Sequence, residues 1–312
     1  MSEILSIEVP ATASSHGEGL TKSLLTPSST AEILVEALPY IQQFAGKSVV
    51  VKLGGAAIDP ESDRALAQDV LLLRSVSVRC VLVHGGGPQV DAMLRRVGKE
   101  PEFRDGLRVT DEETLEIVRM VLVGKINRDL VATINNEAGA EPVALGVSGE
   151  DAGLLKVVAR DPGLGFVGDV SEVRAEHLLR LLDDGMVPVV STIGSDEAGQ
   201  PHNVNADEAA KAIAIAMGAE KIVYLTAAPG LLDDAADETS LVPRLTAAEL
   251  RERIAHDSVG GGMIPKLTAC LEAVEGGVPY AHIIDGRVPH ALLIELLTKH
   301  GIGTMIRAEA NW

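Results

Sequence analysis

Aromatic residues and cysteines are scarce in this 312-residue chain. Three Phe, three Tyr and one Trp are too few to build stacking platforms for nucleic-acid bases. The two cysteines, Cys80 and Cys270, fall in a predicted buried strand and a predicted helix, without the spacing of metal ligands. We therefore expect both to be packing residues, and we expect no metal held by protein side chains.

Positive charge is also scarce, because 27 Lys and Arg stand against 45 Asp and Glu. The formal net charge is −18, whereas a chain that binds nucleic acid needs a basic face. This balance argues against a nucleic-acid partner. Any anionic substrate has to be held by a few positioned cations against an unfavourable overall field.

Long apolar runs are missing as well. No uncharged apolar segment reaches the roughly 18 residues that span a bilayer. The first residues include Glu3 and Glu8 and have neither the apolar segment of a secretory signal nor the arginine-rich composition of a transit peptide. We expect a cytoplasmic protein with no membrane partner.

Continuous apolar segments alternate with segments of helical periodicity from Lys47 onward. The alternation predicts an α/β fold, a three-layer αβα sandwich with a mainly parallel central sheet. Helices are predicted around residues 63–74, 88–97, 111–138, 173–184, 206–217, 246–256, 265–275 and 289–299. The predicted buried strands are Val49–Leu53, Val78–Val83, Pro142–Val147, Val187–Ser191, Ile222–Thr226 and Ala281–Asp285.

The segment before Lys47 has a different composition. Residues 1–28 are rich in Ser and Thr and lack periodicity, which predicts a disordered tail. Ser29-Thr30-Ala31-Glu32 has the pattern of a capping box, and an amphipathic helix over residues 29–45 follows from it. Pro39 should kink or divide that helix. Its apolar stripe packs either on its own domain or on another subunit.

Two lysines, Lys52 and Lys266, each lie where a glycine-rich turn meets regular structure. Lys52 is near the end of a predicted strand and precedes Gly54-Gly55, while Lys266 follows Gly260-Gly261-Gly262 and opens a predicted helix. A lysine in the first turn of a helix opposes the helix dipole. The placement becomes favourable if an anion binds the neighbouring backbone N–H groups, so the pair predicts a phosphate site.

Two other glycine strings resemble known motifs without the required context. Gly163-Leu164-Gly165-Phe166-Val167-Gly168 has the spacing of a dinucleotide fingerprint, but Asp161-Pro162 precedes it, so a turn between strands is the better interpretation. His84-Gly85-Gly86-Gly87 resembles an esterase oxyanion loop, but the matching Gly-x-Ser-x-Gly string is absent. An anion-binding loop before a helix that starts with Pro88 fits better. A P-loop is excluded, because the chain contains no complete Gly-x-x-x-x-Gly-Lys-Ser/Thr string.

Five ordered strings form one pattern. They are Lys52-Leu53-Gly54-Gly55, His84-Gly85-Gly86-Gly87-Pro88, Arg108-Val109-Thr110, Asn203 to Asp207, and Gly262-Met263-Ile264-Pro265-Lys266. In this order they resemble the N-acetyl-L-glutamate kinases of the amino acid kinase family, from about Lys47 to Ile306. The resemblance implies that family's fold, with an amino-acid-substrate lobe over residues 46–217 and a nucleotide-binding lobe over residues 218–312.

The resemblance also implies a reaction, the ATP-dependent phosphorylation of the γ-carboxylate of N-acetylglutamate in arginine synthesis. Mg²⁺ would be held mainly by the nucleotide phosphates. Lys52 and Lys266 would flank the transferring group, and Asp207 would hold both lysines in place. The acetylglutamate would bind at Gly85, Gly86, Arg108, Asn203 and Asn205. The nucleotide would bind at Gly54, Gly55, Thr226, Gly230, Gly262 and Met263.

A second resemblance, to arginine-sensitive members of the family, implies that the activity is regulated. Residues 36–41 resemble the mobile helix of arginine-sensitive members of the family, in which this helix joins dimers into a hexameric ring. The likeness implies a homohexamer, built as a trimer of dimers, that L-arginine inhibits. The implied arginine site comprises Tyr40, Lys221, His282, Glu295 and Gly301. The alternative is a helix packed on its own subunit, with Gly301 serving only as a helix C-cap.

One departure from the family pattern concerns the nucleotide loop. The family usually reads Leu-Thr-Asp after this strand, whereas the chain reads Leu225-Thr226-Ala227. Two other functions therefore stay open. The first is a kinase for a related acceptor, such as an N-acyl-aminoadipate. The second is an arginine-binding regulatory subunit with a degraded nucleotide site, which the intact catalytic lysines disfavour.

Overall fold

The structure is a computed structural model that describes residues 26–54, 60–234, 236–256 and 263–309. Residues 1–25 of the predicted tail over residues 1–28 lie outside these ranges, as do two predicted nucleotide-binding residues, Gly55 and Gly262. Helix α1 crosses the boundary between two compact units, the second of which begins at Ala37. Within the described ranges, no helix is long and apolar enough to cross a membrane.

Helices and strands alternate along most of the chain. The helices are α1 (Pro27–Phe44), α2 (Pro60–Ser75), α3 (Gly87–Arg96), α4 (Glu112–Arg119), α5 (Asn127–Ala138), α6 (Glu176–Asp183), α7 (Ala206–Met217), α8 (Ala247–Ala255), α9 (Ile264–Glu275) and α10 (Ala291–Leu297). The strands are β1 (Ser48–Leu53), β2 (Arg79–His84), β3 (Phe103–Arg104), β4 (Leu107–Arg108), β5 (Ala144–Ser148), β6 (Leu155–Ala159), β7 (Val167–Val173), β8 (Val187–Ser191), β9 (Ile193–Ser195), β10 (Pro201–Val204), β11 (Lys221–Thr226), β12 (Arg244–Thr246), β13 (Tyr280–Asp285) and β14 (Thr304–Arg307).

An eight-stranded sheet, in the order β12-β14-β13-β11-β1-β2-β8-β5, forms the centre of the fold. The strands from β13 to β5 in that order are parallel, whereas β14 runs antiparallel to β13. Consecutive apolar residues of β1 face opposite sides, because side chains alternate along a strand. Val50 faces a core formed with α6 to α9, and Val49 and Val51 face a core formed with α2, α3, α5 and α10. The predicted αβα sandwich is confirmed.

The N-terminal helix begins earlier than its sequence pattern predicts. Helix α1 starts at Pro27, so Ser29 lies inside it and the expected capping box is wrong. Instead, the Thr26 hydroxyl oxygen accepts a hydrogen bond from the Ser29 N–H at 3.1 Å. Pro39 lies within α1 and does not divide it, because the 18-residue helix continues to Phe44.

Within the described ranges, six strands outside the main sheet are not among the strands predicted from apolar periodicity. Strands β6, β7, β9 and β10 close into a small barrel, and β3 pairs with β4 in a hairpin. Asn203 therefore lies in strand β10 rather than in a loop, and Arg108 ends the hairpin strand β4. The glycine string after Asp161 forms a turn between β6 and β7, as the sequence predicts.

The long predicted helix over residues 111–138 changes its hydrogen-bond pattern in the middle. A π-helix over Met120–Ile126 separates α4 from α5. π-helical turns are rare and frequently adjoin functional sites. Here the segment carries Leu122 and Ile126, which are buried in the core beside the glycine loop that follows β2.

Candidate active site

Two lysines from distant parts of the chain meet one buried carboxylate. Lys52 lies in β1, Asp207 in the first turn of α7, and Lys266 in the first turn of α9. The Lys52 Nζ lies 2.6 Å from Asp207 Oδ1, and the Lys266 Nζ donates to Asp207 Oδ2 at 2.8 Å. The structure therefore brings together the three residues that the sequence proposes as catalytic.

Burial and opposite charge act against each other in this cluster. Burial lowers the pKa of Lys52, and the attraction of Asp207 reverses that shift only in part. Burial also acts to raise the pKa of Asp207, but Lys52 and Lys266 outweigh it and hold that pKa below its usual value. Asp207 therefore stays ionised. One carboxylate lies between two lysines, so the cluster carries a net positive charge when both lysines are protonated and can then face an anion.

The two lysines differ in access. The Lys52 side chain is 7% exposed, whereas the Lys266 side chain is 26% exposed. Lys52 comes from a strand whose residues from Val49 to Leu53 are all buried, so its position is fixed by the sheet. Lys266 is thus the more accessible of the two cations to an incoming ligand.

Gly54 brings the end of β1 close to β11. Its N–H donates to the Leu225 carbonyl at 3.0 Å, and a Cβ at this position would lie 2.9 Å from the same oxygen. The sequence suggests that the Gly54 N–H is free for phosphate, but in this structure the sheet already uses it. The glycine is required for the close approach of the two strands.

The glycine loop after β2 is packed from two sides. A Cβ at Gly86 would overlap the Ile126 side chain, and one at Gly85 would lie 3.2 Å from the Ala206 Cβ at the start of α7. Helix α3 begins at Gly87 with Pro88 in its first turn, as predicted. The loop thus lies between the π-helix and the helix that carries Asp207.

His84 is a structural residue beside this loop. It is fully buried, and its Nε2 lies 3.1 Å from the Asn127 Nδ2. Asn127 also donates to the Val189 carbonyl at 2.8 Å, which ties β8 to the same histidine. Burial lowers the pKa of His84 to about 4, so the ring is neutral at pH 7.

Arg108 lies beside the glycine loop, and its side chain is 8% exposed. Its Nη1 is 2.5 Å from Asp91 Oδ1 on α3, and its Nη2 donates to the Gly87 carbonyl at 3.3 Å. The guanidinium also stacks 4.8 Å from the centre of the Phe103 ring. Sequence reasoning missed Asp91, although its position one helical turn after Gly87 places it on the same face of α3 as the loop.

The two predicted substrate-binding asparagines differ in their contacts. The Asn203 Nδ2 donates to the Thr110 hydroxyl at 3.3 Å, which holds it beside the segment after Arg108. The Asn205 side chain accepts hydrogen bonds from the N–H groups of Asp207 and Glu208, at 2.8 and 3.3 Å. Asn205 is therefore the N-cap of α7, and its carboxamide oxygen orients the helix that carries Asp207.

The predicted nucleotide loop follows β11. The Thr226 hydroxyl accepts from the Ala228 N–H at 3.0 Å and donates to its carbonyl at 2.9 Å, which shapes the turn around Ala227. Gly230 has a φ of 150°, and a Cβ there would lie 2.6 Å from the Thr304 hydroxyl oxygen. Met263 precedes α9 and packs against the core. The loop is therefore held by hydrogen bonds of its own, although Ala227 stands where the family usually has Asp.

A cavity of about 210 Å³ at the other end of β11, where that strand begins, is lined by all five predicted arginine-site residues, Tyr40, Lys221, His282, Glu295 and Gly301. The sequence did not point to the other residues of its wall, among them Phe44, Arg244, Tyr280, Lys299 and Arg307. The Lys221 Nζ stacks on the rings of Phe44 and Tyr280, at 4.6 and 4.7 Å from their centres. Aromatic residues are too few to form a pattern in the sequence, and only the tertiary structure brings Phe44 and Tyr280 together in this wall.

A chain of polar contacts crosses this cavity. The Lys221 Nζ is 3.2 Å from His282 Nε2, and His282 Nδ1 is 2.7 Å from Glu295 Oε1. Glu295 Oε2 also accepts from the Ile302 N–H at 2.7 Å. Gly301 has a φ of 56°, and a Cβ there would lie 2.6 Å from Glu295 Oε2. Gly301 therefore shapes the wall around that carboxylate.

Comparison with known proteins identifies the family of the chain. The sequence profile described as the amino acid kinase family matches residues 47–285. The chain belongs to the amino acid kinase family.

Within this family, the chain lies among proteins named acetylglutamate kinase. The protein from Synechococcus elongatus is 51% identical over 276 residues, which cover 88% of this chain and 91% of that protein. The protein from Acaryochloris marina is 48% identical and covered over its whole length, with 91% of this chain aligned. The protein from Corynebacterium urealyticum is 50% identical over 95% of this chain and 98% of its own.

Solved structures share the amino acid kinase fold. An N-acetylglutamate synthase from Neisseria gonorrhoeae, complexed with coenzyme A and N-acetyl-glutamate, matches with a TM-score of 0.79 and 27% identity over 90% of this chain and 64% of that one. The same synthase complexed with coenzyme A and L-arginine matches with a TM-score of 0.76 and 28% identity, over 90% of this chain and 66% of that one. Giardia carbamate kinase, at 17% identity, has a TM-score of 0.64 and covers 85% of this chain and 100% of its own, which supports the fold alone.

Proposed function

We propose that this chain transfers the γ-phosphoryl group of ATP to the γ-carboxylate of N-acetyl-L-glutamate, the second step of arginine synthesis. The relatives named acetylglutamate kinase support this activity, because they align over nearly the whole chain at about 50% identity. The observation that carries the proposal is the contact of Lys52 and Lys266 with one ionised Asp207. A cytoplasmic location, where ATP and amino-acid precursors are available, fits the same reaction.

The reaction requires alignment and charge rather than proton removal. A carboxylate is ionised at pH 7, so one of its oxygens attacks the γ-phosphorus directly. The bond from that phosphorus to the β,γ-bridging oxygen breaks, and ADP leaves with the electron pair. Lys52 and Lys266 face the negative charge on the transferring group, while Asp207 holds both ammonium groups. Loss of one such positioned donor typically lowers the rate by ~10²–10³.

The residues present also suit the metal that accompanies ATP. Both oxygens of Asp207 are engaged by lysines, and the described ranges contain no group of three or more His, Cys, Asp or Glu able to hold a metal. The nucleotide phosphates are then the ligands that Mg²⁺ would use. The metal would neutralise part of the phosphate charge, and the lysines of the chain would supply the rest.

The substrate end of the site lies at the glycine loop. Arg108 projects beside Gly87 and offers a planar guanidinium that suits a carboxylate. Its ion pair with Asp91 keeps the guanidinium in place before the substrate binds. We assign the α-carboxylate of acetylglutamate to Arg108 and the acetyl-amide end to the side of Asn203.

A comparison of acceptors tests the proposed function. Acyl-phosphate formation, trapped as the hydroxamate, is measured with N-acetylglutamate, with its one-methylene-longer homologue and with ATP alone. The expected result is turnover with acetylglutamate and a kcat/KM for the homologue lower by about 10-fold or more. Preference for the homologue would instead establish an aminoadipate-type kinase, and absence of turnover with either would support a regulatory subunit.

We further infer that L-arginine inhibits the enzyme by binding the cavity around Lys221, His282 and Glu295. The Glu295 carboxylate suits a guanidinium, and the cationic wall formed by Lys221 and Arg307 suits an α-carboxylate. The structural relative complexed with coenzyme A and L-arginine supports arginine as a ligand for a protein of this fold. Glu295→Gln should weaken arginine inhibition by about 10-fold or more while the uninhibited rate is retained, measured as the arginine concentration for half-inhibition.

We also infer a homohexamer joined through α1. This helix exposes apolar side chains, with Leu34 at 68%, Val35 at 69% and Leu38 at 48% exposure. Such a stripe favours burial against a second copy of the helix. Light scattering should give six subunits for the full chain and a smaller assembly for Leu34→Asp. A monomer in both samples would contradict the inference.

A further inference from the structure

Helices α7 and α9 lie side by side and carry two members of the catalytic cluster. Near their first turns, Asp207 of α7 contacts Lys266 of α9. Further along, Lys211 of α7 contacts Glu272 of α9. At the far end, a Cβ on Gly276 would lie 2.5 Å from the Ile215 side chain. The helices therefore run in the same direction, with contacts in matching order along both.

Lys211 makes the middle contact as a nearly buried cation. Its side chain is 14% exposed, and its Nζ lies 2.5 Å from Glu208 Oε2 on the same helix. Glu272 Oε2 is the second partner of this ammonium group. Burial acts to lower the pKa of Lys211, but the hydrogen bonds to Glu208 and Glu272 outweigh it and raise the pKa. Lys211 therefore remains charged between two carboxylates.

Two polar contacts, separated along the helices, fix the position of α9 relative to α7 better than one contact does. Asp207 and Lys211 are about 6 Å apart along α7, and Lys266 and Glu272 are about 9 Å apart along α9, at 1.5 Å per residue. Apolar packing holds α9 in the core, but with a polar contact only at its first turn the helix can still shift slightly, which moves the Lys266 ammonium. A second attachment removes that freedom. A displacement of about 1 Å in a catalytic group can cost about 100-fold in rate.

We propose that Lys211 is a positioning residue, which holds α9 through Glu272 so that Lys266 stays at Asp207. This inference rests on the proposed kinase function. Lys211 itself contacts neither Lys52 nor Asp207 by any hydrogen bond or ion pair found among the described residues. Its effect on the rate is therefore transmitted through the placement of Lys266.

Variants at both ends of the contact test this role. Lys211→Met removes the charge, Lys211→Arg conserves it, and Glu272→Gln removes the partner from the other helix. We expect Lys211→Met to lower kcat by about 10-fold, with the KM for acetylglutamate changed by less than about twofold. Lys211→Arg should recover most of kcat. Glu272→Gln should also lower kcat, because it removes the partner of Lys211 on α9. The Glu272 side chain is 46% exposed, so we expect the fold to tolerate this substitution.

A matched control lies on the same helix. Glu275 pairs with Arg251 of α8 rather than with α7. Glu275→Gln removes one ion pair of α9 and should leave kcat and KM unchanged. Equal losses in Glu275→Gln and Glu272→Gln would mean that any ion pair on α9 matters, which would overturn the specific role of Lys211.

A readout without turnover separates this inference from the proposed function. The rate of amine labelling at Lys266 is measured by mass spectrometry in the absence of substrate, together with the melting temperature. Lys211→Met should increase labelling at Lys266, whereas Glu275→Gln should not. A folded Lys211→Met protein with wild-type labelling overturns the inference. A wild type inactive on acetylglutamate, with increased labelling in Lys211→Met, would refute the proposed substrate and leave the positioning role supported.

Discussion

At the scale of single residues, buried charge determines what this site can do. Asp207 has one oxygen beside Lys52 and the other beside Lys266, and its pKa is held below the usual value. Such a carboxylate cannot take a proton from a substrate at pH 7. In the proposed reaction, we therefore expect this cluster to act by placing two cations beside the transferring phosphoryl group.

Buried histidines give the fold a pH dependence. Burial, reinforced by Lys221, lowers the pKa of His282 from 6.5 to about 4. The contribution of the neutral, buried His282 to the free energy of unfolding is fully present above pH 6.5. It is lost as pH falls toward 4, because the His282 side chain takes up a proton in the unfolded chain before it does so in the folded protein. His282→Gln should remove up to about 3 kcal/mol of this decline in the free energy of unfolding.

Urea denaturation at a series of pH values between 4 and 7 measures this effect. His84, whose pKa burial also lowers to about 4, contributes a parallel decline that remains in His282→Gln. The exposed His256 is the control, and His256→Gln should leave the slope unchanged. An unchanged slope in His282→Gln would show that His282 is already charged in the folded protein.

Arg108 provides a second test at this scale. Its two terminal nitrogens contact Asp91 and the Gly87 carbonyl, and a lysine cannot reproduce that planar geometry. Arg108→Lys should raise the KM for acetylglutamate by about 10-fold or more and change kcat much less. The exposed Arg104 lies in the same hairpin, and Arg104→Lys is the control in steady-state kinetics. A fall in kcat alone would remove Arg108 from substrate binding.

At the scale of elements, the sequence predicts what long apolar periodicity can encode. The buried strands of the main sheet carry runs such as Val49-Val50-Val51, which only a strand covered on both faces would need. The small barrel was missed because its strands carry no long apolar run, and β9 and β10 have only three and four residues. The π-helix over Met120–Ile126 was missed because its apolar residues fit a continuous α-helix equally well.

The catalytic constellation was accessible from sequence for a different reason. Glycine-flanked lysines are costly unless a ligand compensates, so the sequence signals Lys52 and Lys266 without their contacts. By contrast, Asp91 and Lys211 resemble ordinary polar residues on helix surfaces. Only the packing of α3 against the β3–β4 hairpin and of α7 against α9 gives them partners.

The contact between the π-helix and the glycine loop makes a prediction at the element scale. Gly86 has an extended backbone, yet a Cβ there would overlap Ile126 and come within 2.9 Å of Leu122. A Cβ on Gly87 would meet nothing within 4 Å. Gly86→Ala should cost about 1–3 kcal/mol of stability through overpacking, and Gly87→Ala should cost little. Thermal unfolding of the two variants checks this, and equal melting temperatures would contradict it.

At the scale of the whole molecule, the central sheet connects the two candidate ligand sites. Strand β11 begins at Lys221, in the wall of the arginine cavity, and ends at Thr226, at the proposed nucleotide loop. The net charge of −18 opposes anionic ligands at long range. Under the proposed function, we expect the local cations Lys52, Lys266 and Arg108 to provide the attraction for the anionic ligands.

The most direct test of the account is the rate of acyl-phosphate formation by the wild type and by Lys266→Ala, at saturating ATP and N-acetylglutamate. With one of the two cations removed, kcat should fall by about 10²–10³, while nucleotide still binds and the melting temperature stays close to that of the wild type. An active wild type and an equally active Lys266→Ala protein would contradict the claim that the two lysines held by Asp207 stabilise the phosphoryl group during its transfer.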